Sequence, residues 1–165
     1  MATITLEGNE IHTIGDLPPI GSQAPELNLV NADMSDVSLD NWKGKKKLLN
    51  IVVAIDTSVC ADSTKKFNDF AAGRDDVVML VVSADLPPTL GRFCTGESVD
   101  KVVPLSMMRN RNFGKDYGVL IEDGPLAGIT ARAIVVVDAD NKVIYTEMVP
   151  EITQEPDYDK ALAVL

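Results

Sequence analysis

Two cysteines, Cys60 and Cys94, and a single histidine, His12, are the residues of this 165-residue chain best suited to chemistry. Cys60 closes the segment Asp56-Thr57-Ser58-Val59-Cys60, where an apolar run hands over to helical spacing. A cysteine in the first turn of a helix lies among backbone N–H groups without intrahelical partners, at the positive end of the helix dipole. Both favour the thiolate, the nucleophilic form of the side chain. Thr57, one turn earlier, is placed to bring a hydroxyl near the sulfur. With His12 as the only histidine, most Cys/His zinc sites are excluded, as is a Cys–His dyad outside the N-terminal segment. Activation of a thiol must therefore come from elsewhere, and the reading calls for no cofactor and no metal. Two cysteines do not make the disulfide scaffold of a small secreted protein. They are either buried inert residues or a redox pair.

The elements that must hold these residues follow from periodicity. Residues 3–6 and 10–14 alternate around Gly8-Asn9, predicting a β-hairpin. Residues 16–25 hold three prolines and must be irregular, and 27–30 form a short strand. The stretch 37–42 leads into a lysine-rich turn. Residues 47–55 (KLLNIVVAI) are near-continuously apolar and rich in β-branched side chains, as befits a central strand buried on both faces. A helix over 61–72 carries Phe67 and Phe70 three apart, and 77–82 (VVMLVV) make a second buried strand. Pro87 and Pro88 end that strand, and a helical segment around 90–93 carries Cys94. A short strand over 102–105 and a short helix over 112–117, stopped by Gly118, come next. Strands 131–137 and 142–148 are joined through a hairpin at 138–141. Residues 156–165 begin with proline and acidic residues and end apolar, predicting a C-terminal helix. Strands alternating with helices give a parallel core, and the late hairpin adds antiparallel edges. The order fits one thioredoxin-like α/β domain over 1–165: a mixed, mainly parallel central sheet flanked by helices, with an N-terminal β-hairpin.

Composition narrows the partners. The formal net charge of −10 repels phosphate backbones, so nucleic acid is not an expected partner. Lys43, Lys45, Lys46 and Lys47 form the one compact basic cluster, read as a solvated turn before a strand. Residues 1–14 lack the continuous apolar stretch of a signal peptide, and no run approaches the roughly 18 residues a membrane span needs. A soluble, cytoplasmic protein with no membrane partner is expected.

Thr57-x-x-Cys60 after an apolar strand resembles the peroxiredoxin active-site motif. The wider stretch from Asn50-Ile51 through Ile55-Asp56-Thr57-Ser58-Val59-Cys60-Ala61-x-Ser63 to Lys66-Phe67-Asn68 is similar to the bacterial thiol peroxidase subfamily. Further matches are Ser83-Ala84-Asp85-Leu86-Pro87, Arg92-Phe93-Cys94, Tyr117-Gly118-Val119, Asp123-Gly124-Pro125-Leu126-x-Gly128 and Ala131-Arg132-Ala133. Glu151-Ile152-Thr153 and Glu155-Pro156-Asp157-Tyr158 complete an ordered set covering nearly the whole chain. The resemblance implies that Cys60 is the peroxidatic cysteine, attacking a hydroperoxide and becoming a sulfenic acid. Thr57 would orient peroxide and thiolate. Arg132 would stabilise the thiolate and the charge on the departing oxygen. Cys94 would resolve the sulfenic acid into an intrachain disulfide, with thioredoxin as reductant and a homodimer as the assembly. One position departs from the pattern: Val53 stands where the motif has proline, and reduced rather than abolished turnover is expected from it.

Two other functions share these residues. A redox sensor would pass the Cys60–Cys94 disulfide to a protein partner and stop after one turnover without it. An interaction module would keep both cysteines structural, and its thiols would resist alkylation at neutral pH, where an activated thiol reacts. A disulfide needs Cα atoms within roughly 7 Å. The first turn after Cys60 and the segment around Cys94 are therefore expected to unwind between redox forms.

Overall fold

Lys46–Ile51 forms β5, the strand at the centre of the molecule, and its neighbours explain its composition. In the computed structural model, which describes residues 1–165, β5 pairs in parallel with β6 (Val77–Ser83) and antiparallel with β8 (Ala133–Val137). All but the first of its residues are buried. A strand covered on both faces and paired on both edges has no polar side to show.

The sheet around β5 has seven strands in the order β4-β3-β7-β6-β5-β8-β9. Here β3 is Leu29–Asn31, β4 is Asp36–Val37, β7 is Val102–Ser106 and β9 is Val143–Met148. The sheet is mixed, as expected. Parallel pairing is confined to β5-β6-β7, and both flanks are antiparallel, through β7-β3-β4 on one side and β5-β8-β9 on the other. Alternating strands and helices betray the parallel centre. The short strand expected over 27–30 is β3, shifted to Leu29–Asn31, whereas the two residues of β4 leave too little pattern to be read. Separate from this sheet, β1 (Thr3–Leu6) and β2 (Asn9–His12) form the N-terminal hairpin. Its turn lies at Glu7-Gly8, with φ of 51° and 82°, one residue earlier than the Gly8-Asn9 expected.

Each face of the sheet carries its own core. Leu48, Met79, Val81, Ile134 and Val136 point to one side, under α1 (Ser58–Ala71), α2 (Pro87–Gly96) and α4 (Tyr158–Leu162). Leu49, Ile51, Leu80, Val82, Val135 and Val137 point to the other, with Phe113 and Tyr117 stacked 4.5 Å apart at α3 (Asn112–Asp116). Fully burying one such aliphatic side chain stabilises the fold by about 1.5–3 kcal/mol. Gly118 follows α3 at φ 68°, and a Cβ there would run into the Asp16 backbone, so the chain can pass only with glycine.

The lysine turn is corrected in one respect. Lys43 and Lys45 are exposed, but Lys47 is fully buried and donates to Asn141 Oδ1 at 2.7 Å. Strand β5 begins at Lys46, so alternation turns Lys47 into the core of the second face. Burial holds its ammonium below the ordinary lysine range. No helix is long and apolar enough to cross a membrane.

Candidate active site

Helix α1 starts three residues before the expected position, with Thr57 as its N-cap residue. Its buried side chains are Cys60, Ser63, Thr64, Phe67 and Ala71, a stripe at helical spacing facing the sheet. Cys60 therefore lies in the first turn, fully buried. The amides of Ser58, Val59 and Cys60 have no backbone acceptor, as the first turn of a helix requires. The Thr57 hydroxyl does not reach the sulfur. Thr57 is exposed, and its Oγ1 and its N–H both donate to the Ala54 carbonyl, at 2.9 and 3.1 Å. That leaves the hydroxyl's lone pairs available as acceptors.

The loop between β5 and α1 is tied down from β6. Asp85 accepts from the Ile55 N–H at 2.8 Å and from Ser83 Oγ at 2.7 Å. Beneath the helix, Ser63 Oγ and Thr64 Oγ1 both donate to the Cys60 carbonyl, at 3.0 and 2.8 Å. Asn50 Nδ2 donates to Ser63 Oγ at 3.1 Å, while Asn50 Oδ1 is buried without a partner.

Arg132 stands just before β8 and is only 3% exposed. Its Nη1 donates to Cys60 Sγ at 3.1 Å, and its Nε donates to the Ile152 carbonyl at 2.8 Å. No carboxylate pairs with it. A buried guanidinium without an ion-pair partner is costly, and its charge is available to an anion at the sulfur. Beside this contact lies a pocket of about 310 Å³, walled by Leu6, Val53, Val59, Leu126 and Ile152, with Thr57 and Arg132 also in the lining. Cys60 is outside the wall. Arg132 links the two, bonding the sulfur and facing the pocket.

Cys94 lies in α2, 8% exposed, and packs into the same core cluster as Cys60. Both cysteines are free thiols. Burial pushes the Cys94 thiol above its ordinary range. Arg92 is exposed and lines a separate cleft with Ile55, Asp56 and Phe93. The structure thus brings Cys60 and Arg132 into contact, sets Thr57 in the pocket lining, and keeps Cys94 covered within the same core cluster. Sequence reasoning missed the Ile152 carbonyl, the Asp85 tether and the walls Leu6 and Leu126.

Residues 19–162 match the Redoxin family model. The chain belongs to the redoxin family. Within that family it is 52% identical over its whole length, and over 99% of the relative, to a thiol peroxidase of Mycobacterium tuberculosis. A crystal structure of a peroxiredoxin-like protein from Aquifex aeolicus superposes with a TM-score of 0.93 at 39% identity, covering 99% of this chain and 95% of that one. A thiol peroxidase from Chromobacterium violaceum gives 0.91 at 27% identity, over 98% and 94%. The thioredoxin-like fold of the peroxiredoxins is therefore established for this redoxin. By family it is a peroxidase, an oxidoreductase of the thiol peroxidase group.

Proposed function

We propose that this redoxin reduces hydrogen peroxide and alkyl hydroperoxides with Cys60 as attacking thiolate, Cys94 as resolving thiol and thioredoxin as electron donor. One observation carries the reading: the Arg132 guanidinium bonds the Cys60 sulfur at 3.1 Å while lining an apolar pocket. The thiolate attacks one peroxide oxygen and the O–O bond breaks. The leaving alkoxide or hydroxide takes up a proton and departs as alcohol or water. Sulfur is oxidised to sulfenic acid as the peroxide is reduced by two electrons. Arg132 donates first to the thiolate and then to the oxygen that gains charge, the arrangement that stabilises a transition state most. Thr57 Oγ1, with its own proton committed to Ala54, accepts from the peroxide O–H and orients it. The sulfur is fully covered, so attack needs a small opening of the pocket wall.

The Cys94 thiol then condenses with the sulfenic acid, forming the Cys60–Cys94 disulfide and releasing water. A buried thiol held in its protonated form is a poor nucleophile, so α2 must uncover Cys94 for this step. The dithiol of thioredoxin restores both thiols. We further propose that one domain of 165 residues does this work, as a homodimer in the cytoplasm. Peroxide consumption with thioredoxin, its reductase and NADPH tests the reading. Cys60→Ser is expected to abolish turnover, and Cys94→Ser to retain one round of oxidation and then stop. Full turnover by Cys94→Ser would remove Cys94 from the mechanism, and turnover by Cys60→Ser would overturn the proposal.

A further inference from the structure

Arg132 is aimed at Cys60 by one anchor, the Ile152 carbonyl that accepts from its Nε. Ile152 belongs to no strand of the central sheet, so something else must fix that carbonyl. The segment is held by the N-terminal hairpin: the Thr5 N–H donates to the Pro150 carbonyl at 2.8 Å, and the Ile152 N–H donates to the Thr5 carbonyl at 2.9 Å. Between those two bonds stands Glu151. One carboxylate oxygen accepts from Thr5 Oγ1 at 2.6 Å and the Gly8 N–H at 3.1 Å. The other accepts from the Glu7 N–H at 3.0 Å and from the Thr153 N–H and Oγ1 at 3.2 and 3.0 Å. Glu7 and Gly8 are both left-handed, which turns their successive N–H groups into an anion-binding concavity. The chain fills it with its own carboxylate.

This arrangement does more than close a turn. Leu6, between Thr5 and Glu7, both of which Glu151 engages, is a wall of the pocket, as are Ile152 and Thr153. We infer that Glu151 is a positioning residue for the peroxidase reaction, holding the Ile152 carbonyl where it directs the Arg132 guanidinium onto Cys60. The inference rests on the roles proposed above for Cys60 and Arg132. Removing charge from this carboxylate weakens five bonds at once, and the Ile152 carbonyl then drifts with the hairpin. Arg132 has no second anchor to hold it.

The test is stopped-flow oxidation of the reduced protein by cumene hydroperoxide, in a double-mutant cycle. Glu151→Gln is expected to slow oxidation of Cys60 about tenfold, within the roughly hundredfold that an ångström of misplacement can cost. Thr5→Val, which removes one donor and keeps a β-branched side chain, should slow it less. In the Arg132→Met background, Glu151→Gln should have no further effect, because there is no guanidinium left to aim. A rate for Glu151→Gln matching wild type, or an equal loss in both backgrounds, would overturn the inference. Should Glu151→Gln fail to fold, the same cycle run with Thr5→Val decides the point. A distinct outcome separates the underlying reading: if Arg132→Met oxidises as fast as wild type, the role of Arg132 falls, and the inference with it.

Discussion

A proline at position 53 would have no N–H to place; valine does, and nothing in the protein accepts it. Val53 is 7% exposed and shares the pocket wall with Thr57 and Arg132, so its side chain covers the site as an apolar residue should. What it lacks is a fixed φ and freedom from an unsatisfied donor. The preceding Val52 donates to the Val82 carbonyl at 2.9 Å as β5 ends, so the loop before a new proline is already held. Val53→Pro is therefore expected to raise steady-state peroxide turnover and to add about 0.4–1 kcal/mol of stability in urea unfolding, chiefly by restricting the unfolded chain. Unchanged turnover would show that valine closes the site as well as proline does. At this scale the sequence is legible where chemistry depends on a side chain: Cys60, Thr57 and Arg132 stand out by type and motif. It is silent where chemistry depends on a backbone group. The Ile152 carbonyl lies 20 residues from Arg132, and any residue at that position could supply it.

In the proposed mechanism helix α1 has to do two incompatible things, hold Cys60 against Arg132 and release it toward Cys94. Its first turn is fastened by side chains as well as by the backbone, because the Cys60 carbonyl accepts from both Ser63 and Thr64. Such back-bonding within a helix slightly weakens it. Each bond nonetheless contributes about 0.5–1.5 kcal/mol to keeping the turn closed. Thr64→Val removes one of them without changing shape, and should speed formation of the Cys60–Cys94 disulfide severalfold after peroxide is added. Hydrogen exchange offers the matching readout: amides of the first turn of α1 and of α2 should lose protection in the oxidised form. Identical protection in both redox forms would contradict the unwinding. The long buried elements are legible because β6 and β8 are strings of β-branched residues, and β5 lies in a near-continuous apolar run, patterns that no amphipathic helix would tolerate. Boundaries are less so. Residues 52–55 continue the apolar pattern of β5 although the strand has ended, since Val52, Val53 and Ile55 are buried as loop under the site. Pro87 and Pro88, read as the stop of β6, are the first turn of α2, where proline loses no hydrogen bond.

Across the whole molecule, the N-terminal hairpin joins no strand of the seven-stranded sheet, yet it braces the site from outside. Two clamps hold it. Glu151 grips its turn, and hydrogen bonds from the Thr5 hydroxyl and from the N–H groups of Gly8, Glu7 and Thr153 hold the Glu151 carboxyl at about 2, below its ordinary 4.5. At the end of β2, His12 Nδ1 pairs with Asp123 at 2.7 Å, while the His12 N–H donates to the same carboxylate. The bond to Asp123, with Glu10 and Glu122 nearby, raises the imidazole above its ordinary 6.5. The two clamps respond to pH in opposite senses. A depressed carboxyl contributes stability that is complete above 4.5 and is lost as pH falls from there toward 2. A raised imidazole contributes stability that is complete below 6.5 and is lost as pH rises through its folded value. Docking of the hairpin should accordingly be firmest between about pH 4.5 and 6.5. His12 and Glu151 are half-buried and Asp123 is exposed, so salt screens the His12–Asp123 attraction and the effect is small in global stability. It is best read locally. Amide exchange in β2 and at Glu122, corrected for intrinsic rates, should accelerate from pH 6 to pH 8.5 in the wild type. The same amides in His12→Asn should show no such rise, and exchange at Glu7 and Gly8 should gain on the acid side in both proteins. An alkaline rise of equal size in His12→Asn would place the loosening elsewhere, and the hairpin would then be held by its backbone bonds and Glu151 alone.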